Sequence, residues 1–368
     1  MPNNDLPFYA RFSFNLITIV LLGVIIFLGQ DIFMPLCFAI VLAFLLLPVN
    51  KWLVKLGLPQ VPAMILSIMV AVVLIVGIVY FLSTQLAQFL EDLPKIRSNL
   101  DRHVDTIQQW VRRNFNISKK EQQEAIQSAS ADMKTTGPGM LGTTFMTAAS
   151  ALILVFLLPI YTFLILYYRE LIRNFFVSIF ADKHRTSVEE VLTESRIIIQ
   201  SYMVGLMIEM AIVAALNATG FLIIGIDYAI FLAVVAAILN MIPYVGMLIA
   251  GIVCVLITLA NTNSISELIW VVVALTVVQF IDNNILMPYV VSSKVKINAL
   301  VSIIGVLIGG ALAGVSGMFL SIPGIAIMKA VFDRVDGLQP WGMILGDDKT
   351  MAKPTIAQRL RRKTKKSS

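Results

Sequence analysis

The 368-residue chain is 58% hydrophobic and 14% charged, where a soluble protein carries about 25% charge. Apolar runs of about 18 or more residues recur along it, which makes it an integral membrane protein. Most of its net charge of +6 sits in a C-terminal cluster, Arg359, Arg361, Arg362, Lys363, Lys365 and Lys366. That cluster reads as a cytoplasmic orientation signal beside anionic lipid and not as a nucleic-acid footprint.

Residues 1–13 are polar. The run Phe14–Leu28, the turn Gly29-Gln30-Asp31 and the run Ile32–Leu47 follow. No small-residue cleavage site follows the first run, so the pair reads as a helical hairpin and not as a signal peptide. Pro48 is expected to end the second helix. Lys51 and Lys55 mark the next loop, and Val61–Leu82 is a third spanning helix.

Thr84–Gly142 is the one long polar segment. In it Leu86, Leu90, Leu93, Ile96, Leu100, Val104, Ile107 and Val111 recur at helical spacing, which predicts an amphipathic extramembrane helix bent at Pro94. Thr143–Tyr168 is a fourth span with a kink at Pro159, and Arg169 and Arg173 place its far end in the cytoplasm. Phe175, Phe176, Ile179 and Phe180 predict an interfacial helix. Ser187 and Glu190 suggest a capping box for a helix starting near Val188 that leads into the run Tyr202–Ile224. The chain thus divides into N-terminal membrane helices (1–83), an extramembrane segment (84–142), a membrane helix with cytoplasmic amphipathic helices (143–201), a core of broken helices (202–335) and a basic tail (336–368). Cys37 and Cys254 lie in apolar runs and read as packing residues. His103 and His184 lie in polar segments. No haem, zinc or phosphate-binding glycine-rich motif occurs, so no cofactor and no enzymatic role are expected.

Function concentrates where apolar sequence is interrupted. A charge at mid-bilayer costs about 2.5–3.5 kcal/mol on insertion scales and by default marks an ion, proton or substrate site. Glu209 and Asp282 are placed that way. Gln279, Asn283 and Asn284 surround Asp282, and Pro288 loosens the backbone after it. Asn240 with the Pro243–Gly246 break forms a second cluster, whose freed carbonyls suit a cation or a hydroxyl-rich solute. Gly305, Gly309, Gly310, Gly314 and Gly317 form a third, at spacings that let helices approach closely.

Counting each apolar run once gives eight membrane segments in an all-α protein. Yet Ala229–Met241 and Met247–Leu259 are each about 13 residues, or about 20 Å, too short for a core of about 30 Å. A re-entrant hairpin with its tip at Pro243–Gly246 fits them, and Ala299–Val331, interrupted at Gly314–Gly317, fits a second. Two hairpins framing Asp282 suggest elevator-like alternating access, by analogy with other hairpin transporters.

These residues carry a resemblance. Gly225-x-x-Tyr228-Ala229, then Asn240-x-Ile242-Pro243-Tyr244-Val245-Gly246, Asp282-Asn283 with Pro288, Gly310 to Gly317 with Met318, Pro323 and Lys329, and Pro340-Trp341 with Leu345-Gly346-Asp347 follow in that order. The sequence resembles the autoinducer-2 exporter family over roughly residues 10 to 348, departing from its pattern at Glu209 and Met247. The resemblance implies a homo-oligomeric secondary transporter, such as a pentamer, in a bacterial cytoplasmic (inner) membrane. It implies export of a small polar solute or signalling molecule. Antiport of sodium or another monovalent cation against protons, centred on Asp282, is the alternative, and a non-transporting membrane scaffold is the third reading. Both termini are expected in the cytoplasm.

Overall fold

A computed structural model describes residues 7–92, 156–180, 184–262, 264–291, 297–335 and 337–346. Every regular element among them is helical. The chain divides into two compact units. One contains residues 1–34, 169–205 and 288–368, the other residues 35–168 and 206–287.

In chain order the helices are α1 (Phe8–Leu28), α2 (Gln30–Lys55), α3 (Gln60–Glu91), α4 (Phe156–Tyr167), α5 (Arg169–Ile179) and α6 (Arg185–Ile224). There follow α7 (Ala229–Asn240), α8 (Val245–Asn261), α9 (Ile265–Ile281, continued by a π-helical stretch Asp282–Val291), α10 (Ala299–Arg334) and α11 (Gln339–Leu345). Among the described residues, five segments are long and apolar enough to cross a membrane: α2, α3, α6, α9 with its continuation, and α10.

Several boundaries differ from the sequence expectation, beginning with α1, which starts at Phe8 and not at Phe14. The turn after α1 shrinks to Gly29, whose N–H bonds to Ile25 O at 2.9 Å. α2 runs straight through Pro35 and Pro48 to Lys55, because a proline removes only one backbone donor and packed membrane helices tolerate the loss. What ends α2 is Gly57, at φ 97°. Gly57 N–H bonds Val54 O at 3.0 Å and Leu58 N–H bonds Leu53 O at 3.3 Å, a left-handed C-terminal cap that a side chain would strain. Ser187 and Glu190 do not cap α6, since its helix already starts at Arg185 and runs 40 residues without a break. Nothing in Arg185-Thr186 stops a helix, so the first turn forms ahead of the serine.

α3 continues beyond Leu82 and carries Leu86 and Leu90 on the same helix. The rest of the expected amphipathic helix, including Pro94, lies outside the described residues, as do the first part of the fourth span, the loop with Lys294 and Lys296, and the basic tail. α5 is the expected amphipathic helix. It buries none of its residues and exposes Leu171, Ile172, Phe175, Phe176 and Ile179 along one face.

The second unit has an apolar core in which Phe221 of α6 and Val271 of α9 meet Phe231, Leu232 and Ala233 of α7 and Ala250 and Cys254 of α8. α7 and α8 form a hairpin: Cys254 Sγ lies 4.0 Å from Leu232 O. α10 is also a hairpin despite its unbroken length. Ala313 (φ −148°) and Gly314 (φ 58°, ψ −143°) reverse the chain. Ser321 Oγ then reaches Gly305 O at 2.8 Å, where a straight helix would put residues 16 positions apart about 24 Å from each other. The base of this hairpin is clasped by one residue. Asn298 accepts from Val301 N–H at 2.8 Å, its side-chain amide donates to Ile344 O at 2.6 Å, and its N–H donates to Leu345 O at 3.1 Å. The same side chain caps α10 and holds α11.

Candidate functional site

The site is assembled by helical stripes that interrupt themselves with polar residues. On α6, Leu206, Glu209, Val213, Asn217 and Phe221 are buried at steps of three or four, so one apolar stripe carries an acid and an amide inward. On α9 and its continuation, Val278, Asp282 and Leu286 do the same at steps of four. Glu209 is 5% exposed, Asp282 4% and Asn217 3%. Buried polar groups of this kind persist only when something satisfies them.

Asp282 is partly satisfied. Asn240, the last residue of α7, donates its amide N–H to Asp282 Oδ2 at 2.9 Å, and Gln279 donates to the same oxygen at 3.4 Å and to Asn283 Oδ1 at 3.1 Å. The tip of the first hairpin is thereby fastened to α9 through Asn240. Glu209 lies within hydrogen-bonding reach of Asp282. Glu209 Oε2 and Asp282 Oδ1 are both buried with no N–H or O–H donor among the described residues. Two facing carboxyls satisfy each other only with a proton between them or with a cation.

Beside this acid pair is a cavity of about 430 Å³ lined by Asn217, Asn240, Gln279 and Asn283, with Thr276, Met247, Gly251 and apolar side chains such as Leu275 and Phe280 making up the rest of the wall. Four carboxamides give it both donors and acceptors, and no charged side chain lines it. The Asn217 Oδ1 atom is buried without a partner among the described residues and needs a donor.

Of the residues singled out in the sequence, Asp282, Glu209, Asn240, Gln279 and Asn283 come together here. Asn284 does not. Its amide donates to Phe280 O at 2.8 Å on the exposed side of the helix, because consecutive helical residues point about 100° apart. Pro243 and Gly246 form the tip that holds Asn240 in place. A Cβ on Gly246 would lie 1.6 Å from Leu239 O. Pro288 sits inside the π-helical stretch and belongs to the other unit. A π-helical stretch beginning at a buried acid is a frequent mark of a functional site. The five glycines belong to the second hairpin. Asn217 as a cavity residue was readable from its i+8 spacing to Glu209. Thr276, Met247 and Gly251 carried no comparable signal.

A family model described as "AI-2E family transporter" matches residues 16–337. The "Putative transport protein YrrI" of Bacillus subtilis (strain 168) is 26% identical over 317 residues, covering 82% of this chain and 86% of that protein. The "Putative transport protein YhhT" of Escherichia coli (strain K12) is 24% identical over 323 residues, 86% of this chain and 89% of that protein. The "AI-2 transport protein TqsA" of the same organism is 23% identical over 339 residues, 89% of this chain and 95% of that protein.

Proposed function

Because this chain belongs to the AI-2E transporter family, we propose that it exports a small, uncharged, hydroxyl-rich solute through the cavity bounded by Asn217, Asn240, Gln279 and Asn283. The carboxamide lining carries this reading: amides that both donate and accept match the hydroxyls of such a solute, and no charged side chain lines the wall. TqsA, similar along most of its length, bears a name for AI-2 transport, a solute of the autoinducer-2 type. The test is efflux of labelled candidate solutes from liposomes holding the purified protein. Saturable efflux that disappears in Asn217→Leu supports the reading, and wild-type efflux no faster than that of empty liposomes sinks it.

A second reading has its own observation. The acid pair Glu209–Asp282, in which Glu209 Oε2 and Asp282 Oδ1 lack donors among the described residues, is an arrangement a monovalent cation and a proton would compete for, as in cation/proton antiport. In the same liposomes, a sodium-dependent proton flux lost in Asp282→Asn would favour it.

We place the protein as a homo-oligomer, such as a pentamer, in a bacterial cytoplasmic membrane with both termini inside. Each hairpin enters and leaves on one face, so the basic tail and the loop with Lys294 and Lys296 share the cytoplasmic side. A single cysteine at Ser293, with Cys37 and Cys254 replaced, is expected to stay unlabelled by a membrane-impermeant thiol reagent in intact cells. Labelling equal to that of an outer-loop cysteine at Ser130 would refute re-entry.

A further inference from the structure

Among the described residues, two that are not glycine have a positive φ, Tyr228 at 60° and Tyr244 at 65°. Tyr228 immediately precedes α7, and Tyr244 lies in the turn after it, immediately before α8. Such conformations are strained for a residue with a side chain and persist where the surroundings impose them. Tyr244 pairs its φ with a ψ of −47°, and Pro243 O accepts the Val245 N–H at 2.7 Å across it. That is a three-residue γ-turn of the rare, strained hand. Gly246 pressed onto the Leu239 carbonyl holds it there.

At the other end Tyr228 is left-handed and makes no side-chain cap to α7. Its hydroxyl instead donates to the carboxylate of Asp92, at the C-terminal end of α3. Its ring stands edge-on to Phe89 with centroids 5.9 Å apart. The bond to Asp92 is the main reason the Tyr228 hydroxyl is pushed up to about 12, followed by burial and the charges of Asp92, Asp227 and Glu91. The phenol therefore remains a donor throughout the neutral range. Between the two tyrosines, α7 presents the small Ala229, Ala233 and Ala236 to its neighbours alongside Phe231 and Leu232, and packed helices of this kind move by small shear displacements.

We infer that α7 is a hinged arm with pivots at Tyr228 and Tyr244, latched in its present position by the Tyr228–Asp92 hydrogen bond, and that its swing parts Asn240 from Asp282 and opens the amide-lined cavity. The lever is sufficient. Over a helix about 18 Å long, a rotation of about 10° at the base moves the tip by about 3 Å, enough to break a hydrogen bond. The inference rests on the transport reading of that cavity and adds how the cavity is gated.

Backbone amide exchange of residues 229–240, in the full-length protein in liposomes, reads the latch directly. Tyr228→Phe removes the donor and keeps the ring; Asp92→Ala removes the acceptor. Each is expected to raise exchange across 229–240 about tenfold, the worth of a hydrogen bond to a charged group. The double variant is expected to exceed neither single, since both remove one contact. Amides of 245–261 serve as the internal reference. Unchanged exchange in both variants, additive effects, or an equal rise in 245–261 from general loosening would each overturn the latch. Solute efflux in the wild type keeps the two claims apart. Efflux with an unaltered arm refutes the hinge alone, and absent efflux refutes the transport reading.

Discussion

The two hairpins reverse the chain by opposite means. In the first, α7 and α8 pack through ordinary side chains, with Cys254 and Leu232 fully buried between them. Its tip is an irregular, proline-containing turn that ends one arm on Asn240. In the second, the arms of α10 meet backbone to backbone. A Cβ on Gly317 would lie 2.0 Å from Gly309 O, and one on Gly309 would lie 2.4 Å from Gly317 O. Ser321 Oγ lies 2.8 Å from Gly305 O and 2.6 Å from Gly317 O, donating to one at a time. The first hairpin spends its tip on side-chain chemistry. The second has no room for a side chain at Gly309 or Gly317, where its arms touch backbone to backbone, and is built for stiffness. Glycine spacing alone does not separate these roles; the contact across the turn does.

The largest expected effect breaks the second hairpin. Gly317→Leu should prevent assembly, seen as loss of the folded peak in detergent gel filtration, because the arm must move off a backbone that cannot yield. Gly77→Leu, with nothing within 4 Å of its added Cβ, should leave that peak intact. Equal tolerance at both positions would remove the stiffness argument. A smaller and more selective effect is expected at the first hairpin. Asn240→Ala should lower solute efflux about tenfold or more by leaving Asp282 Oδ2 short of a donor, with folding retained. The smallest is at Asn284→Ala, which should stay within about twofold of wild type, since that amide serves only its own helix. An Asn284 variant as impaired as the Asn240 variant would mean that the wrong face of α9 has been assigned.

Much of this was legible in the sequence for one reason: polar groups are expensive inside a membrane. Asp282, Asn240, Gln279 and Asn283 stand out because each interrupts an apolar run, and the hairpins are legible from the short arms around Pro243 and from the glycine interruption of the long run Ala299–Val331. What stayed hidden depends on contacts between distant stretches. Glu209 has no visible partner within α6; its partner is on α9, and only folding brings them together. Pro48 was misread as a stop because proline signals a break far more strongly in water than among packed membrane helices. The glycine spacing predicts close helix approach but not the partner, and α10 packs the cluster against itself. Asn284 was grouped with Asn283 by adjacency, which a helix converts into divergence.

The Asn298 clasp bears on how the protein is made. It needs acceptors at Ile344 and Leu345, which leave the ribosome after both arms of α10. The second hairpin therefore cannot seal its base while the chain is still being threaded into the membrane. Its completion waits for α11, which is made only after both arms of the hairpin it closes.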